Sequence, residues 1–354
     1  MPHAAPKAKL PVPVPRVVAV IPARNEAAVV GRAIASVVRQ QYPGRLDIVL
    51  VDDDSSDGTA EAARQAAPAG ALKIVRAAPL PPGWTGKVWA MAEGVRHAHA
   101  MQPDYFLLTD ADIEHPPENL AGLVVRAESG GYDLVSYMAT LRCRTWAERA
   151  LIPAFVFFFF MLYPPAWVRS TRRATAGAAG GCMLVRRARL ERIGGLASIA
   201  GELIDDCALS REVKQGGGRV WLGLSPETQS LRAYATFGEI GRMISRSAFT
   251  QLGYSLVLLG ATILGLAITY LAPPLVAVYG ISDNSSYLAG LGGFAWLLMS
   301  IACVPVLRYY RLSPLRAPLL PLVAAFYLGA TVHSAVAHWR GQGGMWKGRA
   351  GTGG

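Results

Sequence analysis

The chain has 354 residues, 52% of them apolar and 17% charged, with 35 basic against 24 acidic residues and a net charge of +11. That length excludes a lone small module, and the apolar excess excludes intrinsic disorder for most of the chain. The positive balance points to an anionic partner: nucleic acid, an acidic membrane surface or a phosphorylated small molecule.

Residues 1–16 hold five prolines and no apolar stretch of signal-peptide length, so they read as a flexible segment that stays in the cytoplasm. From Val17 to about Leu224, short β-branched runs alternate with alanine-rich helical patterns, the mark of an α/β layer fold. Strands are predicted from about Val17, Asp47, Leu72, Tyr105 and Asp133, and helices over 27–40, 59–67, 88–100 and 118–128. A parallel, doubly wound sheet is the expected result. Cys143, Cys182, Cys207 and Cys303 form no C-x-x-C pair, which speaks against zinc or a disulfide framework and fits a reducing cytoplasm.

The apolar run 151–168 is broken by Pro153, Pro164 and Pro165 and flanked by Arg149, Arg169, Arg172 and Arg173. It reads as an interfacial element, with an ordinary core helix as the alternative. After Tyr254 the chain carries one acidic residue, Asp283, and six basic ones. Three apolar runs within 254–338 each approach the ~20 residues that span a bilayer, so about three transmembrane helices are expected, followed by a flexible tail over 339–354. Arg242 and Arg246 before the first run, and Arg308, Arg311 and Arg316 between the second and third, mark cytoplasmic sides. Three spans then place Arg340, Lys347 and Arg349 outside, against the rule, unless the third is re-entrant.

Two acid-rich segments follow predicted strands: Pro22 to Glu26 (PARNE) and Asp52 to Thr59 (DDDSSDGT). In a parallel sheet both fall at carboxyl ends of strands, where α/β folds bind ligands. Asn25 and Asp57 also suit helix N-caps. Three successive aspartates repel one another unless donors such as a base N–H, a ribose hydroxyl or an arginine meet them. The fourth strand ends in Asp110-Ala111-Asp112, and two carboxylates so placed can hold a hard divalent cation that also binds phosphate oxygens. Lys87 precedes a predicted helix and suits a diphosphate contact, with a solvated surface lysine as the bland reading. Gly180-Gly181 permits close backbone approach or a simple turn. Arg186, Arg187, Arg189 and Arg192 suit a solvated helix face, a diphosphate site or a membrane surface.

In this order the segments resemble the family 2 glycosyltransferases of the GT-A fold, over about residues 17–253. VIPARNE and VDDDSSDGT are similar to that family's nucleotide-binding segments and TDAD to its metal-binding D-x-D. GELIDD, Gly201 to Asp206, is similar to the acidic motif that supplies the catalytic base. QSLRAY, Gln229 to Tyr234, partly matches Q-x-x-R-W, with Ala233 where the family has tryptophan. Among membrane members, LPPGWTGKVWA, the Phe-rich run, GGCMLVRR and RMISRSAFTQLGYS most resemble the hopanoid-biosynthesis-associated glycosyltransferases.

The resemblance implies a GT-A-type nucleotide-sugar domain followed by transmembrane helices. It implies an inverting, nonprocessive transferase on the cytoplasmic face of the membrane, moving a sugar from a nucleoside diphosphate, UDP by preference, to a lipid such as a hopanoid. Pro22, Arg24, Glu26, Asp52, Asp53, Asp54, Lys87, Asp110, Gln229 and Arg232 would then bind the nucleotide sugar. Asp110 and Asp112 would hold Mg²⁺ or Mn²⁺. Asp206 would be the base, with Asp205 and Glu202 as its acidic neighbours. A processive polysaccharide synthase is the rival enzyme, disfavoured by the missing tryptophan, and a non-catalytic nucleotide-sugar or lipid binder is the rival of another class. Nucleic acid is not expected, because the basic residues accompany the apolar segments and no RNA or DNA motif is present.

Overall fold

The computed structural model describes residues 9–341 together with Met345–Trp346 and Arg349–Ala350. The chain divides into two compact units, and the first combines the described residues up to Leu141 with Tyr163–Arg232. Its opening elements alternate: β1 (Val17–Ala23), α1 (Ala27–Val38), β2 (Leu46–Asp52), α2 (Thr59–Gln65), β3 (Leu72–Arg76), α3 (Gly86–His99) and β4 (Tyr105–Leu108). A two-residue β5 (Ile113–Glu114), α4 (Asn119–Gly130) and β6 (Leu134–Thr140) follow. The chain leaves this unit for α5 (Trp146–Leu162) and returns with α6 (Pro165–Arg169), β7 (Met183–Arg186), α7 (Arg187–Arg192), α8 (Asp205–Gln215) and β8 (Val220–Ser230).

Every residue of β1 is buried, as expected for a central strand covered by helices on both faces, where apolar residues run continuously instead of alternating. The register of β1 on β2 runs from Val17↔Leu46 to Ala23↔Asp52, and that of β1 on β4 starts at Val17↔Tyr105, both parallel. The carboxyl ends of β1, β2 and β4 therefore share one edge, and the three acid-rich segments emerge there together.

The sheet is not wholly parallel. Its order is β3-β2-β1-β4-β7-β6-β8-β5, and β7 runs antiparallel to both β4 and β6. The sequence hides this strand because four apolar residues between Gly180-Gly181 and an arginine-rich helix carry no periodicity. β8 lies parallel to β6, with a bulge beside Thr140, and pairs antiparallel with β5 through Ile113↔Ser230 and Glu114↔Gln229. That last pairing carries the Gln229–Arg232 segment to the end of β4.

Three of the four arginines around β7 are ion-paired inside this unit instead of standing free: Arg186 with Glu128 at 3.0 Å, Arg187 with Glu191 at 3.2 Å and Arg189 with Asp133 at 3.4 Å.

The second unit comprises Arg142–Leu162 and the described residues from Ala233 to 341. It holds α5, the short α9 (Phe237–Ser245) and α10 (Ala248–Gln251), then α11 (Leu256–Leu266), α12 (Ala272–Ser282), α13 (Ser286–Tyr309) and α14 (Leu320–Trp339). Four helical stretches are long and apolar enough to cross a membrane: Trp146–Arg169, Leu256–Ser282, Ser286–Tyr309 and Pro314–Trp339. The one beyond the three expected, Trp146–Arg169, contains the run 151–168 that its prolines marked as interfacial. Pro153 sits inside α5 without ending it, and Pro165 opens α6, where its missing N–H costs nothing. Pro273 and Pro274 likewise fall in the first turn of α12, after a five-residue π-helical segment, Ala267–Leu271. Large apolar side chains such as Val257 (80% exposed) and Leu275 (67% exposed) face outward, as lipid-facing helices require.

Candidate active site

The strand-end loops of the first unit are built largely from their own hydrogen bonds. Asp57 accepts from the N–H of Ala27 at 2.9 Å and of Thr59 at 3.0 Å, so one carboxylate serves the first residues of α1 and α2. Burial, the largest single influence, opposes its charge, but the bonds from Thr59 and Ala27 together outweigh it and lower its pKa. Asn25 is not a cap: it takes a left-handed φ of 50°, and its Oδ1 accepts from Ser56 N–H at 2.9 Å.

The aspartate triplet is resolved internally. Asp52 accepts from Ser55 N–H at 3.2 Å. Asp53 is buried with Arg24 3.6 Å from its carboxylate, and the same guanidinium donates to the Asp53 carbonyl. Asp54 is exposed and pairs with Arg76 at 2.8 Å. A backbone N–H thus meets the first of the three carboxylates, and an arginine stands beside each of the other two. Pro22 is buried in β1 beside this edge.

The centre of charge is Lys87. Helix α3 begins at Gly86, two residues before the expected start, which puts Lys87 in the first turn. Its Nζ lies 2.9 Å from Asp110 Oδ1 and 3.2 Å from Asp205 Oδ2. Burial works against the ammonium, but Asp110, Asp205 and Asp206 outweigh it and raise its pKa. The surface-lysine reading is therefore replaced by a cation enclosed by carboxylates.

Asp206 faces the same cluster. Its Oδ2 accepts from Gly180 N–H and its Oδ1 from Cys207 N–H, each at 2.7 Å. Burial, then the neighbouring Asp205, pushes its pKa up to about 6, against the opposing pull of Lys87 and the two N–H donors. A Cβ on Gly180 would lie 3.1 Å from Lys87 Nζ and 3.4 Å from Asp206 Oδ2, so the close backbone approach read from Gly180-Gly181 is used here. Asp205 and Asp206 both stand in the first turn of α8, where the positive end of the helix dipole favours them. Glu202 is not part of this group, since Arg211 holds its carboxylate at 3.1 Å.

Arg232 joins the other side of the site. Its Nε donates to Asp112 Oδ2 and its Nη2 to Glu26 Oε1, both at 2.7 Å, and Leu231 N–H donates to the Asp112 carbonyl at 2.7 Å. The first and second acid-rich loops, the D-x-D turn and the end of β8 thus meet. Gln229 remains exposed on β8.

Among the described residues no group of three or more His, Cys, Asp or Glu side chains is arranged to hold a metal ion. Asp110 and Asp112, which here pair with Lys87 and Arg232, are the carboxylates that could hold one. They offer hard carboxylate oxygens at one strand end, and Mg²⁺ characteristically takes one or two carboxylates and completes its shell with phosphate and water. What sequence reasoning missed is the support beneath this turn: Thr109 and His115, three residues beyond Asp112, bond to each other at 2.8 Å while buried.

Parallel strands whose loops gather acids, a lysine and an arginine at one edge, beside an antiparallel extension, define an α/β domain of GT-A type. Residues 18–194, half of the chain, match the model of glycosyl transferase family 2, and the chain belongs to that family. It is 37% identical over 103 residues to an undecaprenyl-phosphate 4-deoxy-4-formamido-L-arabinose transferase of Edwardsiella ictaluri, covering 29% of this chain and 30% of that one. It is 37% identical over 94 residues to a 4,4'-diaponeurosporenoate glycosyltransferase of Staphylococcus aureus, covering 27% of this chain and 23% of that one. The chain thus spans under a third of the length of these curated relatives. In structure it is similar to a mannosyltransferase, PcManGT, from Pyrobaculum calidifontis, solved in complex with GDP-Man and Mn²⁺. The TM-score is 0.51 at 18% identity, covering 92% of this chain and 89% of that one.

Proposed function

We propose that this protein is a membrane-bound, inverting, nonprocessive glycosyltransferase that moves one sugar from a nucleoside diphosphate donor to a lipid. Asp206 carries the reading. A carboxylate beside a lysine, held in place by two N–H groups and with its pKa raised toward neutrality, is suited to take a proton from an acceptor hydroxyl at physiological pH. Inversion is one in-line displacement at the anomeric carbon, so a single base suffices and no covalent nucleophile is needed. Asp52 and Asp53 border the nucleoside, and Lys87 and Arg232 face the diphosphate. A divalent ion held by Asp110 and Asp112 would offset charge on the leaving diphosphate.

The lipid acceptor rests on the four candidate spans and on relatives whose names state undecaprenyl phosphate and 4,4'-diaponeurosporenoate as lipid substrates. The raised carboxylate favours a hydroxyl over a phosphate acceptor, because a phosphate oxygen is already ionised and needs no base. A hopanoid or related polycyclic lipid alcohol answers that requirement, and UDP is the preferred donor carrier. The arginines flanking the apolar runs favour a multi-pass protein of the cytoplasmic membrane with the catalytic domain inside. Ala233, in place of the tryptophan of chain-extending synthases, favours a single transfer.

The test is mass spectrometry of lipid extracts from cells with and without the protein, followed by transfer from UDP-sugars in membranes. A lipid shifted by one hexose, hexosamine or uronic acid is expected. Extracts that match with and without the protein, together with no transfer in membranes, would overturn the reading.

A further inference from the structure

Behind the D-x-D turn runs a buried chain of polar groups that the reading above does not use. His115 is 4% exposed and Thr228 0%. Ser225 Oγ donates to Thr228 Oγ1 at 2.9 Å, and Thr228 Oγ1 donates to Asn119 Oδ1 at 3.2 Å. Asn119 Nδ2 lies 3.1 Å from His115 Nδ1, His115 Nε2 lies 2.8 Å from Thr109 Oγ1, and Thr109 Oγ1 donates to the Gly181 carbonyl at 2.7 Å.

The direction of every bond in this chain is fixed by its last member. A carbonyl can only accept, so the single Thr109 hydroxyl proton goes to Gly181 and Thr109 must accept from His115. His115 therefore carries its proton on Nε2. Its Nδ1 is left as the acceptor for the Asn119 amide, which turns Oδ1 of Asn119 toward Thr228. Among the described residues no carboxylate pairs with the imidazole, and burial lowers its pKa to about 4, so the ring is neutral and acts by hydrogen bonding alone. Its backbone N–H is satisfied by Ser36 Oγ at 3.0 Å.

The two ends of the relay matter. Thr109 directly precedes Asp110, which pairs with Lys87. Gly181 directly follows Gly180, whose N–H orients Asp206. On its far side this turn is pinned by Ser136 Oγ, which accepts from Ala179 N–H at 2.9 Å. On its near side Thr109 Oγ1 donates to the Gly181 carbonyl, beside the backbone bond from Tyr137 N–H to the Cys182 carbonyl.

We propose that His115 is a positioning residue for transfer. Through Thr109 it locks the turn carrying Asp110 and Asp112 to the turn carrying Gly180, and so fixes the diphosphate side of the site relative to Asp206. The inference deepens the proposed function and rests on Asp206 as the base. It also makes a geometric claim that needs no activity.

Three variants of the full-length protein test it: His115→Gln, which can still donate to Thr109 and accept from Asn119; His115→Phe, which can do neither; and Thr109→Val, which removes the hydroxyl at nearly constant volume. In membranes, His115→Phe and Thr109→Val should each lower kcat by about 10- to 100-fold, the range expected when reacting groups shift by about an ångström. The donor KM should change less than about 3-fold, and the double variant should be no worse than the poorer single one. His115→Gln should restore most of the rate. Independently, amide hydrogen exchange in detergent should speed up in the peptide spanning residues 178–183 of His115→Phe and Thr109→Val, while peptides covering β1 and β2 stay protected.

A folded His115→Phe with wild-type kcat, or His115→Gln as poor as His115→Phe, would overturn the positioning role. So would unchanged exchange over 178–183. If His115→Phe does not fold, Thr109→Val decides alone. If the wild-type protein transfers no sugar, the functional reading fails while the exchange arm still decides the geometric one.

Discussion

Arg232 and Asp112 lie 2.7 Å apart, although 120 residues separate them in sequence, and the same guanidinium reaches Glu26 at 2.7 Å. A planar fork can serve two carboxylates at fixed angles, whereas an ammonium is a point charge. Arg232→Lys should therefore weaken binding of a UDP-sugar by about 10-fold, since charge-assisted hydrogen bonds contribute roughly 1.5 to 3 kcal/mol. Calorimetric titration of the solubilised protein with Mn²⁺ present reads this directly. Asp112→Ala should in addition abolish any difference between titrations with Mn²⁺ and with EDTA. Wild-type affinity in Arg232→Lys would remove the bridge from the binding site.

Lys87 offsets charge in a cluster of three carboxylates, and its loss should be felt in stability as well as in binding. Breaking a buried ion pair by deleting one partner costs about 3 to 5 kcal/mol. Lys87→Met should lower the melting temperature accordingly. The lysine pKa is raised from 10.5 in the folded protein, so its contribution is fully present below pH 10.5 and is lost only as pH rises through the raised value. The deficit of Lys87→Met should thus be flat between about pH 7 and 10, and should shrink on the acid side as the carboxylates protonate. Asp205→Asn, if Asp205 were only a helix cap, would be nearly silent. Because Ile204 is the residue at the cap position and Asp205 faces Lys87, it should instead loosen Lys87 and raise the donor KM.

The parallel half of the sheet was legible because buried parallel strands write themselves as apolar runs, VVAVI and DIVLV among them. The antiparallel β7 and the two-residue β5 were not, since they are defined by their partners and not by any local pattern. In the candidate site, the acid-rich motifs fall at strand ends that the fold gathers on one edge. Sequence alone did not tell which acids meet which cations, because Lys87 with Asp205 and Arg232 with Glu26 are joined only by the fold. The extra apolar helix escaped because Pro153 and Pro165 read as breaks, although one is tolerated inside α5 and the other opens α6.

Four apolar helices of 24 to 27 residues should hold the protein in the membrane against salt. At about 1 M salt the screening length is near 3 Å, so arginine contacts with headgroups are suppressed while apolar insertion is untouched. Washed membranes should retain the full-length protein in the pellet, and only detergent should release it. Release into the supernatant by salt alone would replace the spanning reading with a peripheral one.

Asp206 makes the sharpest claim on chemistry. Asp206→Asn keeps the size of the side chain but removes the proton acceptor, and general base catalysis typically contributes ~10² to 10⁴-fold. Transfer should fall by that order while the affinity for UDP-sugar with Mn²⁺ stays near wild type, the pattern of a group that acts only in the transition state. The pH dependence has a definite sign. The active form is the carboxylate, and burial beside Asp205 raises its pKa, so the wild-type rate should drop as pH falls through about 6, well above the range of an exposed aspartate. The small residual rate of Asp206→Asn should lack that acid limb. If the variant kept near-normal transfer, or kept the same limb, the base would lie elsewhere. Asp205 would be next to test, because Glu202 is held away by Arg211.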